Sequence, residues 1–100
     1  MYDMKNMTKL KKFGELAPEA FKGFMAFDEA VFKTGVIPLK YKELMAVAVA
    51  VTTQCPYCIE IHTQRAKKAG VTEQELAEAT LVSAALRAGG SLTHGTHTLD

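Results

Sequence analysis

The hydrophobic and polar positions of the chain fall into successive stretches with helical spacing. Residues 3–14 set Met4, Met7, Leu10 and Phe13 at intervals of three among Lys5, Lys9, Lys11 and Lys12. This predicts a short amphipathic helix that stops near Gly14 and serves as a docking arm with solvated lysines. Pro18 then suits a first helical position, where its missing N–H costs nothing. Ala20, Phe21, Phe24, Met25, Phe27, Asp28, Val31 and Phe32 follow at spacings of three and four, which predicts a helix that stops by Gly35. Its phenylalanines read either as plain core or as the wall of an apolar pocket.

Val36-Ile37-Pro38 reads as extended, and a second long helix is expected from about Leu39 or Lys40 to Thr53. Its Leu44–Val51 run is apolar on every side and so predicts a buried element. The alternating alanines and valines also suit a strand. Leu44, Met45, the alanines and a length beyond the usual strand favour helix. Pro56 opens a third helix, with Cys55 at or beside its N-cap and a stop at Arg65–Gly70. Thr72-Glu73-Gln74-Glu75 is a capping box for a fourth, expected to run to Gly89-Gly90. The tail carries His94 and His97, read as exposed or capping residues, on one more short turn or helix. The fold class is therefore all-α: four main helices and a short N-terminal one. Residues 1–16 form the arm and residues 17–100 the core domain.

Composition changes this picture in three ways. The net charge is +1 on 100 residues, and no basic face interleaved with aromatics suggests nucleic acid. Apolar residues make up 48% of the chain, more than a small helical domain hides internally, so a homo-oligomer is expected. No apolar run reaches membrane-spanning length, and the first residues lack the pattern of a signal peptide. The expected setting is the cytoplasm, where a Cys-x-x-Cys pair points to catalysis or metal binding rather than to a structural staple.

The chemistry lies between Glu43 and His62. Cys58 and His62 are four apart and share a helix face, with the imidazole leaning back towards the sulfur. Cys55 and Cys58 are close enough for a disulfide. Both lie by the positive end of a helix, which favours thiolate. Helix-end electrostatics alone favour Cys55 as nucleophile; proton transfer to His62 favours Cys58, and the latter argument is given more weight. If the second and third helices fold back on each other, Glu43 comes within reach of His62 as the outer member of a proton relay. The alternative for Glu43 is a first-turn glutamate favoured by the helix dipole. Tyr57, between the cysteines, is read as a pocket residue or as packing at the helix entrance. Glu60 and Gln64 are expected to face solvent.

Glu43, Cys55, Tyr57, Cys58 and His62, in the pattern E-x11-C-P-Y-C-x3-H, resemble the alkylhydroperoxidase D-like core of the carboxymuconolactone decarboxylase family. The similarity extends over residues 17–95, including the Arg-Ala-Gly-Gly and Thr-His-Gly segments. It implies an all-α fold assembled as trimers or hexamers. It also implies a thiol peroxidase or disulfide reductase, with Cys58 forming a sulfenic acid, Cys55 resolving it, and Glu43 and His62 relaying protons through water. The implied substrate is a small hydroperoxide. The implied reductant is an external thiol, in the best-known member a dihydrolipoyl group on a partner protein, with no bound cofactor or metal. The family also contains a lactone decarboxylase that does not depend on such a cysteine pair. Two other readings stand beside this one: a zinc protein using Cys55, Cys58, His62 and Glu43 or a tail histidine, and an oligomeric scaffold with incidental thiols.

Overall fold

Three prolines, one capping box and one left-handed glycine set the helix boundaries of this chain. The computed structural model describes residues 2–100. Its α-helices are α1 (Leu10–Leu16), α2 (Pro18–Val31), α3 (Leu39–Thr53), α4 (Pro56–Lys68) and α5 (Glu73–Gly95). Tight 3-10 segments at Met4–Lys9 and Thr96–Thr98 precede α1 and follow α5. No strand occurs among the described residues.

Pro18 and Pro56 sit at the first positions of α2 and α4, and Pro38 is the N-cap of α3. At α5, Thr72 and Glu75 exchange both capping hydrogen bonds, at 3.1 and 2.9 Å. Gly70 has φ +96°, a conformation costly for any residue with a Cβ, and it turns the chain out of α4.

Other glycines do not stop helices. The N-terminal helix passes through Gly14 to Leu16. Helix α2 ends at Val31, before Gly35 is reached. Helix α5 runs straight through Gly89 and Gly90 to Gly95, absorbing most of the expected tail. A Cβ at either Gly89 or Gly90 would meet nothing within 4 Å, so neither position requires glycine.

Helix α3 is the central element, packed against both α4 and α5, while α1 packs on α2. The buried core is small: Val47, Ala66 and Val71, with Leu44, Val51 and Leu76 against it. Ser83 Oγ donates to Ala48 O at 2.8 Å and Arg87 donates to Thr52 O, which fastens α5 to α3. The Leu44–Val51 run is helical, as preferred over strand, but it is not buried on all sides. Val47 and Ala50 face inward, whereas Met45 and Val49 stand at the surface because nothing in the single chain covers that side. The aromatic face of α2 is open in the same way, with Phe24, Met25 and Phe27 exposed.

Candidate active site

Helices α3 and α4 are joined by Gln54 and Cys55 alone. Gln54 takes the left-handed conformation at φ 58°, ψ 43°, which reverses the chain so that α4 runs back along α3. That reversal brings Glu43, on the first turns of α3, opposite His62, on the second turn of α4. The result is a direct contact: His62 Nδ1 lies 2.8 Å from Glu43 Oε2. Glu43 is only 2% exposed. A buried carboxylate needs a partner, and this one has the imidazole. With Glu43 ionised, Nδ1–H donates and Nε2 is left as the acceptor. The dipole reading of Glu43 does not account for so buried a position.

Phe32 completes the setting of the imidazole. It leaves the helical path just past α2, and its ring stacks on His62 with centroids 5.0 Å apart at 28°. His62 is thus fixed on one edge by a carboxylate and on one face by an aromatic ring.

The cysteines lie at the other end of this arrangement. Both are free thiols, with their Sγ atoms 2.7 Å apart. Cys55 is the N-cap of α4, and its sulfur accepts the Cys58 backbone N–H at 3.3 Å, as a capping hydroxyl oxygen would. The two thiols are unequal acids. The hydrogen bond from the Cys58 side chain, with backbone N–H groups at the helix start, holds the Cys55 thiol below its ordinary value. The same hydrogen bond, then burial, then repulsion from Cys55, push the Cys58 thiol up to about 11. Cys55 is therefore the first of the two to lose its proton as pH rises.

Access distinguishes the sulfurs in the opposite sense. A groove of about 590 Å³ is lined by Cys58 and His62 and walled by Phe32, Ile37, Met45 and Val49; Cys55 is not part of it. Among the described residues no hydrogen bond joins Cys58 to His62 directly.

Tyr57 does not face this groove. Its hydroxyl accepts Asn6 Nδ2–H at 2.9 Å and the Asp3 N–H at 3.3 Å, and its ring packs edge-on against Tyr2. The expectation of a pocket role is corrected: Tyr57 anchors the N-terminal arm. Glu60 is likewise not left to solvent, since the Tyr2 hydroxyl donates to its Oε2 at 2.5 Å. His94 and His97 lie exposed at the end of α5, remote in sequence from the site. The residues that sequence reasoning missed are Phe32 as a partner of His62, and Lys42, Met45 and Val49 as groove lining. The aromatic spacing of α2 flagged Phe32 but not its target, and Lys42 carried no signal.

Among the described residues no three His, Cys, Asp or Glu side chains converge as metal ligands. Glu43 is engaged by His62, and the sulfurs sit by the helix start.

A short helical scaffold with a Cys-x-x-Cys helix start and a buried Glu–His pair defines the class. The chain belongs to the carboxymuconolactone decarboxylase family, whose family model matches residues 18–100. It is 42% identical over 76 residues to an uncharacterised protein of the cox locus in Paracoccus denitrificans, covering 76% of this chain and 68% of that one. A solved structure from Methanobacterium thermoautotrophicum superposes with a TM-score of 0.82 at 38% identity, covering 88% of this chain and 99% of the other. A carboxymuconolactone decarboxylase family protein from Legionella pneumophila, solved in its apo form, gives a TM-score of 0.78 at 37% identity, with 92% and 82% covered.

Proposed function

We propose that the protein is a thiol peroxidase that reduces organic hydroperoxides through Cys58 and Cys55. The observation that carries this reading is the joint placement of two sulfurs 2.7 Å apart at a helix start and a His62–Glu43 pair on the same groove.

In the proposed cycle Cys58 gives its proton through a bridging water to His62 Nε2 as Cys58 Sγ attacks the hydroperoxide, and Glu43 balances the imidazolium that forms. An S–O bond forms, the O–O bond breaks, and Cys58 becomes a sulfenic acid. The departing alkoxide takes that proton back from His62 through water and leaves as the alcohol. Cys55 then gives its proton to His62 in the same way, its sulfur attacks Cys58 Sγ to close a disulfide, and the expelled hydroxide takes the proton from His62 and leaves as water. Two electrons and two protons from an external dithiol, for which a dihydrolipoyl group on a partner protein is proposed, restore the two thiols.

The reading is tested by mixing pre-reduced protein with one equivalent of cumene hydroperoxide and following thiol loss and intact mass. The expected result is rapid loss of both thiols and a product two hydrogens lighter. Thiol loss no faster than that of an unstructured peptide would remove the peroxidase reading and leave disulfide exchange as the chemistry to pursue.

We further propose that the working form is a homo-oligomer. The chain exposes 7864 Å², against about 5600 Å² for a compact monomer of its mass. The excess is larger than the roughly 800 Å² per partner of an ordinary stable interface. Assembly as a trimer or hexamer is the form proposed.

A further inference from the structure

The groove over Cys58 has a second polar end. Its floor is one face of α3, stepping from Thr53 through Ala50 and Ala46 to Lys42. At 1.5 Å per residue, those positions span about 16 Å. The small alanines keep the floor low, and Met45, Val49, Ile37 and Phe32 make the walls apolar. Cys58 and His62 are reached from the floor; Lys42 stands at the far end, the one formally charged side chain of the lining apart from the histidine.

Lys42 is held in place without being neutralised. Its Nζ donates to Val31 O at 2.8 Å and Lys33 O at 2.5 Å, carbonyls of the last residue of α2 and of the segment just after it. An ammonium has three donors. Among the described residues no carboxylate pairs with it, in contrast to Lys40, which meets Glu75 at 3.3 Å. A fixed ammonium at one end of an apolar trough, with a thiol at the other, matches an amphipathic molecule with an acid group and a distant reactive site.

We propose that the groove selects hydroperoxides of long-chain carboxylic acids, of the fatty-acid type, with Lys42 binding the carboxylate and the hydroperoxide lying at Cys58. The hydroperoxide half rests on the peroxidase reading above; the carboxylate half stands on the groove itself. The reaction is that already written, with the fatty-acid hydroperoxide leaving as the hydroxy acid.

The test compares a linoleic acid hydroperoxide, its methyl ester and cumene hydroperoxide as oxidants of the pre-reduced full chain, below micelle-forming concentrations. The acid is expected to react at least tenfold faster than the ester at subsaturating concentration. Lys42→Met should abolish that preference by lowering the acid's rate to that of the ester. Lys42→Arg should restore most of it. Equal rates for acid and ester in the parent would overturn the proposal with the peroxidase reading intact. If none of the three hydroperoxides reacts, the peroxidase reading fails by itself. Binding of decanoate against methyl decanoate, read from the Met45 methyl resonance, then decides the carboxylate site. Preference for decanoate that is lost in Lys42→Met sustains it, and no preference ends it.

Discussion

At the scale of single residues, the site is built from opposed tendencies. Cys55 is the more acidic thiol but lies outside the groove; Cys58 lines the groove but is the weaker acid. One consequence is a reciprocal pH behaviour. A thiol reacts as thiolate, so a lowered value brings reactivity in at lower pH and a raised one delays it. Carbamidomethylation of the reduced protein should therefore modify Cys55 first, with a midpoint below that of an ordinary thiol. In Cys58→Ala that midpoint should rise, because the largest cause of its depression is gone. In Cys55→Ala the Cys58 midpoint should fall from about 11. Peptide mapping against pH reads both shifts, and unchanged midpoints would end this account of the two thiols. Glu43→Gln keeps the shape of the side chain and a hydrogen-bonding partner for His62 but removes the charge that balances a protonated imidazole. Thiol oxidation should slow by about tenfold to a hundredfold, the usual scale for a group that supports a catalytic histidine, with the helical circular dichroism retained. An unaltered rate would take Glu43 out of the relay.

At the scale of elements, helix starts were legible in the sequence, as were the stops at Thr53 and before Gly70, whereas the stop expected at Gly89-Gly90 does not occur. Pro18, Pro38, Pro56 and the Thr72–Glu75 box act through their own backbone neighbours, so local reading finds them. Glycine permits a turn without requiring one. Among the glycines of the described residues only Gly70 adopts a positive φ, and there the turn expected from glycine falls in place. At Gly89 and Gly90 the chain simply continues, since the flanking turns of α5 are helical. Replacing both by alanine should stabilise the protein by about 1–2 kcal/mol, at roughly 0.5–1 kcal/mol each. Urea unfolding would show this as a higher midpoint at unchanged slope. The opposite is expected at Ala66, which has no exposed surface. Ala66→Leu should cost about 1–3 kcal/mol by overpacking the α3–α4 contact. The Glu43–His62 pair was accessible to sequence reasoning because two helices joined by a two-residue turn obey simple rise arithmetic. Phe32 on His62, Tyr2 on Glu60 and Lys42 at the groove end depend on how distant segments meet, and no local pattern encodes that.

At the scale of the whole molecule, the chain is too open for its size. Its radius of gyration is 16.8 Å, against about 13 Å for a compact domain of this length. Among the described residues no large side chain is fully buried. Size-exclusion chromatography with light scattering should return a mass that is a multiple of 10.9 kDa. Charge placed on the open aromatic face, as in Phe24→Asp with Phe27→Asp, should shift the protein towards smaller species. A parent that elutes at the mass of one chain would overturn the assembly proposal. Among the described residues no helix is long and apolar enough to cross a membrane, so lipid does not provide a helical-span explanation for the open faces.

The small core of Val47, Ala66 and Val71 has a consequence for how the protein is handled. In the proposed homo-oligomer, where the apolar surface finds most of its cover on other copies, the melting temperature would not be fixed, because mass action links folding to the amount of protein present. Dilution would then act as a denaturant. On that proposal, turnover per chain should decline in dilute assays, and the same preparation should regain it on concentration. For a cell, such an assembly would make expression level a switch: below a threshold abundance, newly made chains would remain open to proteases.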